Sequence, residues 1–386
     1  MKTDNQRLLA LDVLRGITIA GMILVNNPGS WEFIYAPLRH ASWNGLTPTD
    51  LVFPFFMFIM GISMYISLQK YGFECSSAII GKIVKRTCVI FAIGLGITWF
   101  YLFFQTWNSL SGENLPFLTH LWQSVWTFDK IRILGVLQRL ALSYGFGAII
   151  VLFLKHKHLP YLIGSLLAAY WLLLIFGNGY IYDETNILAI VDRTVLGLSH
   201  MLIDNGIEPE GLLSTIPSIA HVLIGFYCGK WLMEIKDIRE KLLRLFLLGT
   251  ALTFLGLLLN YGCPINKKIW SPTFVLTTCG LGASFLALLI WIIDVKGYKS
   301  KWRFFEAFGV NPLFMYVVAA VFGVLLSNIR FMYKGALVNL YGYPYKELLQ
   351  PALGDYLGSL AFALLFVCSV WAIGYPLYKR KIYIKI

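Results

Sequence analysis

The feature that most constrains this chain is its row of apolar runs, separated by short polar breaks. Each run is about 20 residues long, the length an α-helix needs to cross the hydrocarbon of a bilayer. A soluble domain keeps about a quarter of its residues charged; here 13% are charged and 58% are hydrophobic. Inside a bilayer every backbone N–H and C=O must be satisfied internally, which leaves helices or closed barrels. Alternating strands of about ten residues are absent, so the spans are helices. The sequence predicts an all-α polytopic membrane helix bundle with about ten transmembrane helices. They fall near 9–28, 49–69, 87–106, 132–154, 159–177, 212–232, 243–261, 273–293, 305–327 and 354–378, in a single transmembrane domain over 1–386.

Charge sets the orientation. The opening MKTDNQRLLALDVLRG carries Asp4 and Asp12 and no small-residue cleavage site, so it reads as the approach to a true first span rather than a cleaved signal peptide. One set of connections gathers most of the basic residues, among them Lys2, Arg7, Lys70, Lys82, Arg86, Lys155, Lys230, Lys241, Lys296, Lys301, Lys379 and Lys385. The positive-inside rule places this set, with both termini, in the cytoplasm. The loops 29–48, 107–131, 178–211, 262–272 and 328–353 then face outward. The net charge of +12 follows from this topology, and no nucleic-acid partner is expected. The six cysteines are scattered without a CxxC and read as small apolar residues.

Against this apolar background the polar residues stand out, because ionisable groups within spans are costly and point to function by default. Asp12 and Arg15, three apart, read as a local ion pair at the start of the first helix. His221 reads as a packed core histidine. Arg139, with Gln138 beside it, needs a partner: Asp12, Asp50 or an anionic ligand. Asp129, Lys130 and Arg132 mark the outer end of that same helix. Arg132 and Arg139, seven apart, share a helix face. Such a stripe suits either an elongated anionic ligand or an interfacial anchor plus one buried pair.

The stretch LRHASWNGLTPTDLVFPFF, residues 38–56, places His40, Asn44 and Asp50 at the outer mouth of the second helix. Imidazole is the side chain best suited to exchange a proton near neutrality. Asp50 is placed to orient His40, and Asn26 or Asn44 to donate to a developing oxyanion. A structural histidine at a loop–helix junction fits the same spacing. Nothing suggests a metal site: no two histidines lie at i,i+4, and His156 and His158 sit in a basic turn.

These residues carry a resemblance. The segments LDVLRGI (11–17), ILVNNPG (23–29), HASWNGLTPTDLVFPFFMFIMG (40–61), GKIVKR (81–86), DKIRILGVLQRL (129–140), EGLLSTIPSI (210–219) and NKKIWSPTFVLTT (266–278) resemble the heparan-α-glucosaminide N-acetyltransferase family of transmembrane acyltransferases. The resemblance implies acetyl-CoA as donor, no metal, and an amino-sugar or glycan acceptor across the membrane. It implies His40 as the active histidine with Asn26 nearby, Arg86, Arg132 and Arg139 as coenzyme-holding positions, and a homodimer. The loop 178–211 is shorter than its animal counterpart and lacks the cysteines found there. With no organellar signal, a bacterial inner membrane and a periplasmic acceptor are expected. Two chemical routes fit, His40 as general base or His40 as acetyl carrier. Two rivals are kept: O-acylation of a surface polysaccharide, and a transporter or flippase of a lipid-linked sugar. Aromatic side chains of the outer loops, Trp31, Tyr180, Tyr341 and Tyr343, are candidate sugar-stacking faces or interfacial anchors.

Overall fold

The structure, a computed structural model, describes residues 8–202 and 204–384. Lys2, Asp4, Arg7 and Lys385, used above to orient the chain, lie outside the described residues. Side-chain caps start several helices: Ser76 accepts from the Ile79 N–H, Asp237 from the Arg239 N–H and Ser271 from the Phe274 N–H. Each satisfies a backbone donor that the first helical turn leaves without a partner.

In chain order the helices are α1 (Leu9–Asn26), α2 (Val52–Gln69), α3 (Ser77–Leu110), α4 (Phe117–Val125), α5 (Val136–Phe153), α6 (Leu159–Phe176) and α7 (Ile187–Leu196). They continue with α8 (Thr215–Glu234), α9 (Ile238–Leu259), α10 (Pro272–Ile290), α11 (Arg303–Val310), α12 (Pro312–Asn328), α13 (Gln350–Leu353) and α14 (Asp355–Lys379). Among the described residues, nine helices are long and apolar enough to cross a membrane. The pair Ser300–Val310 and Pro312–Asn328, bent by 74°, brings the number to ten when counted as one broken span. The expected all-α bundle of about ten spans is what the chain forms.

The break in the tenth span has a local cause. Pro312 has no N–H to continue the helix, and a residue before proline is driven out of the α region. Asn311 accordingly has φ −129° and ψ 58°. Its side chain then grips the C-terminal segment, donating to the Ile382 carbonyl at 2.8 Å and accepting from the Ile384 N–H at 2.9 Å.

The span expected at 132–154 begins later, at Val136, because residues 131–135 are non-helical and Gly135 is extended. The outer loops also hold short elements that the hydropathy pattern does not mark: α4, α7, and a hairpin of β1 (Arg330–Tyr333) and β2 (Ala336–Asn339), antiparallel with Arg330 opposite Asn339.

Lipid chains are as apolar as leucine, so helices associate in a membrane through close packing of small residues. A Cβ on Gly61 would lie 2.1 Å from the Val222 carbonyl oxygen, and one on Gly225 2.2 Å from that of Phe58. Backbone therefore meets backbone where α2 crosses α8. The same holds for α1 and α11, where Cβ atoms on Gly16 and Gly309 would lie 1.7 Å from Phe305 O and 1.8 Å from Asp12 O. Beside this second crossing Arg15 pairs with Asp12 at 2.8 Å, as the i,i+3 spacing suggested, and also donates to Ser63 Oγ at 2.8 Å. These crossings fix α1 and α2, the two helices joined by the segment that bears His40 and Asp50.

Candidate active site

The loop after α1 returns to the bundle at Thr47. Pro48 opens a 3-10 turn, Pro48–Leu51, that runs directly into α2. Proline suits this position because its ring presets φ and its missing N–H would have had no partner. Asp50 in that turn reaches back into the loop. Its Oδ2 accepts from the N–H groups of Ala41 and Thr47, both at 3.1 Å, and from the Thr47 hydroxyl at 2.9 Å. Its Oδ1 lies 2.6 Å from His40 Nδ1. The Asp50 side chain is 1% exposed and that of His40 47%. A buried carboxylate against one nitrogen of an accessible imidazole selects a tautomer. Nδ1–H donates to Asp50, and Nε2 keeps its lone pair.

Lys267, from the loop between α9 and α10, completes the cluster. Its Nζ is 3.5 Å from Asp50 Oδ1 and 3.1 Å from His40 Nδ1. One ring nitrogen cannot both donate to Asp50 and accept from Lys267, so the ammonium serves the carboxylate. Burial lowers the Lys267 pKa, and the charge of Asp50 opposes that shift. Sequence reasoning missed Lys267 as a site residue. Its place in the NKKIWSPTFVLTT block was the only signal, 227 residues from His40.

His40, Asp50 and Lys267 line a cavity of about 370 Å³ that also takes in Asn26, Arg132 and Tyr316. At the opposite, basic end of the bundle is a chamber of about 570 Å³ walled by Arg15, Arg86, Ser63 and Ser67. A cleft of about 10 Å³ lies between them. It shares Phe56, Leu140 and Leu313 with the basic chamber, and Met22, Phe53 and Tyr316 with the His40 cavity. The three form a line through the bundle, wide at both ends and narrow and apolar in the middle.

The remaining candidates fall elsewhere. Arg86 faces the basic chamber, stacks at 4.7 Å on the Tyr144 ring, and keeps a buried Nε without a hydrogen-bond partner among the described residues. Arg132 borders the His40 cavity but is committed to two carboxylates: its Nε donates to Glu208 at 3.0 Å and its NH2 to Glu210 at 2.5 Å. Burial alone would lower its pKa, but Glu208 and Glu210 raise it well above the usual arginine value. An anionic ligand would have to displace them.

Arg139 does not follow Arg132 along a helix face, because α5 begins only at Val136. It is fully buried, bonds Ser214 and the Gly211 carbonyl, and lies 5.0 Å over the Trp270 ring. Neither Asp12 nor Asp50 is its partner. Gln138 is buried against Gly94 and Gly135, Lys130 is exposed on the outer turn, and Asn44 Oδ1 accepts from Asn266 at 3.1 Å. Asn44 thereby staples its loop to the Lys267 loop, while Asn26 is the amide that reaches the cavity.

This geometry sits within a stretch that matches a known family: residues 7–261 fit the profile described as heparan-alpha-glucosaminide N-acetyltransferase, catalytic. The chain belongs to that family. The heparan-alpha-glucosaminide N-acetyltransferase of Mus musculus is 29% identical over 450 residues, covering 100% of this chain and 61% of the mouse protein. The Homo sapiens protein of the same name is 31% identical over 379 residues, covering 82% of this chain and 53% of the human one. The chain thus spans between about half and three fifths of the length of these relatives. The family match takes in Asn26, His40, Asp50 and Arg86 and ends before Lys267.

Proposed function

We propose that this chain is a membrane N-acetyltransferase that moves the acetyl group of cytoplasmic acetyl-CoA to an amino sugar at the outer face. The membrane is the inner membrane of a bacterium, and the bundle is one acyltransferase domain. The observation that carries the reading is the line of cavities from the basic end to the His40–Asp50 pair. The basic end faces the cytoplasm by the positive-inside rule. Arg86 there suits the coenzyme's phosphates, since a guanidinium with an unused N–H binds phosphate oxygens strongly. The apolar cleft suits the uncharged pantetheine arm in polarity, and its side chains would part to let the arm bring the thioester to His40.

The chemistry follows from the Nε2 lone pair. The acceptor amine attacks the thioester carbonyl, a C–N bond forms, and the C–S bond breaks. His40 takes the amine proton and returns it to the departing thiolate. By the second route Nε2 itself forms the C–N bond to the acetyl group as the C–S bond breaks and the thiolate leaves; the amine then takes the acetyl group from Nε2 and its proton goes to the thiolate. In both, negative charge grows on the carbonyl oxygen, near the Asn26 amide and the Lys267 ammonium, which are available to stabilise it. The Lys267 charge also favours the acceptor amine in its neutral, nucleophilic form.

The test is acetyl transfer from labelled acetyl-CoA to glucosamine by purified protein in detergent, with His40→Ala and Arg86→Ala alongside. Transfer lost in folded His40→Ala, with a raised acetyl-CoA KM in Arg86→Ala, supports the reading. Transfer that survives in His40→Ala rejects His40 as the reacting group. Wild-type protein with neither transfer nor acetyl-CoA binding rejects the enzyme.

A further inference from the structure

A second outer cavity, of about 420 Å³, adjoins the His40 cavity and shares Met22, Asn26 and Tyr316 with it. It lies between the ends of α1, α3 and α12 and has a different chemistry. Its wall holds four aromatic side chains, Trp31, Tyr101, Tyr316 and Tyr341, and three amides, Asn26, Asn27 and Asn328. Among the described residues no Lys, Arg, Asp, Glu or His lines it, whereas the His40 cavity contains Asp204, Glu210, Arg132 and Lys268. Trp31 and Tyr101 are 67% and 54% exposed and stand open to a ligand.

Two of the amides are held in place. Asn27 donates to the Ile23 carbonyl at 2.8 Å, Asn328 donates to Val324 O at 2.6 Å and accepts from Asn108 on α3, and the Tyr341 hydroxyl donates to Pro28 O at 3.3 Å. Gly323 keeps the wall open: a Cβ there would reach only Asn27 Oδ1 at 3.4 Å and the Phe366 ring at 3.7 Å, so a larger side chain would grow into the space.

Aromatic faces with fixed amides suit a pyranose ring. The ring presents C–H faces that pack on aromatic planes and hydroxyls that exchange hydrogen bonds with amides. A sulfate or carboxylate substituent would give up part of its water without a cation in the wall to pair it, which is disfavoured. We infer that this cavity is the acceptor subsite, and that it takes a 2-amino-2-deoxyhexopyranose bearing no acidic substituent. The amine would pass Asn26 into the His40 cavity. The inference rests on the acetyltransferase reading and adds to it where the sugar ring binds and which charge it lacks.

The test measures binding directly and does not require turnover. Saturation transfer to D-glucosamine and to glucosamine 6-sulfate is recorded on the full chain in detergent, for wild type, Trp31→Ala and Gly323→Leu. Acetyl-CoA binding is measured in parallel. The expected result is a glucosamine signal at least tenfold stronger than that of the sulfated sugar. Trp31→Ala should weaken it about tenfold and Gly323→Leu should abolish it, with acetyl-CoA affinity within twofold of wild type. Equal binding of both sugars overturns the charge selection. Glucosamine binding undiminished in both variants overturns the subsite, as does loss of bound phospholipid from Gly323→Leu without loss of sugar. Absence of glucosamine binding with intact acetyl-CoA binding overturns the subsite and leaves the donor half of the reading standing.

Discussion

Asp50 accepts from two backbone N–H groups and a hydroxyl while it faces His40. Asn at this position keeps the volume but must turn its NH2 toward one of those donors or toward the ring. If it faces the ring, Nδ1 becomes the acceptor and Nε2 is left protonated. Asp50→Asn should therefore lower kcat by about a hundredfold or more, with the acetyl-CoA KM within about twofold; steady-state kinetics with an unchanged kcat would remove Asp50 from the site. Lys267→Met removes the cation that lies 3.5 Å from Asp50 Oδ1 and 3.1 Å from His40 Nδ1 and should lower kcat about tenfold to a hundredfold with little change in either KM. A loss confined to acceptor KM would make Lys267 a binding residue instead. The His40–Asp50 pair was legible in the sequence because both residues belong to one short loop ahead of a proline-started helix. Lys267 was not, because its contact is made by tertiary packing alone. Arg132 misled for a related reason: the seven-residue spacing to Arg139 places two residues on one face only if the helix is continuous, and the extended backbone at Gly135 breaks it.

Among elements, the spans were legible and the outer-loop structure was not. A run of about 20 apolar residues has one outcome in a bilayer. Short α4 and α7 have no such signal, and they form because neighbours hold them. The Trp99 indole N–H donates to the Val125 carbonyl at 3.0 Å, and Asn186 donates to both Gly179 O and Ile181 O at 2.9 Å ahead of α7. Small residues at span crossings carry a prediction of their own. Gly225→Leu forces side-chain atoms into the Phe58 backbone and should destabilise the protein by about 3 kcal/mol or more, seen as a markedly lower melting temperature in detergent. Gly96→Leu on α3 meets nothing within 4 Å and should leave the melting temperature unchanged or slightly higher, because leucine favours a helix over glycine by about 1 kcal/mol. Equal losses in both would mean that glycine acts through helix flexibility and not through the α2–α8 contact.

For the whole molecule, the arrangement of cavities matters more than any one of them. In the proposed reaction the coenzyme's charged end and the reacting carbonyl would be handled at opposite ends of the bundle, with the apolar cleft at Phe53, Phe56, Leu140 and Leu313 between them. A tryptophan at Leu313 should fill that cleft. Leu313→Trp is expected to abolish acetyl transfer while coenzyme A still binds at the Arg86 end, measured by equilibrium binding on the same preparation. Loss of both would indicate that the coenzyme enters by another path. The narrowness of this cleft has a consequence beyond catalysis. A passage that opens on both faces of an energised membrane is a potential short circuit. At about 10 Å³ the cleft is too small and too apolar to hold a continuous thread of water, and a dewetted constriction stops ions. The residues that part to admit an uncharged arm would then, on closing behind it, keep protons from leaking down their gradient each time the arm withdraws.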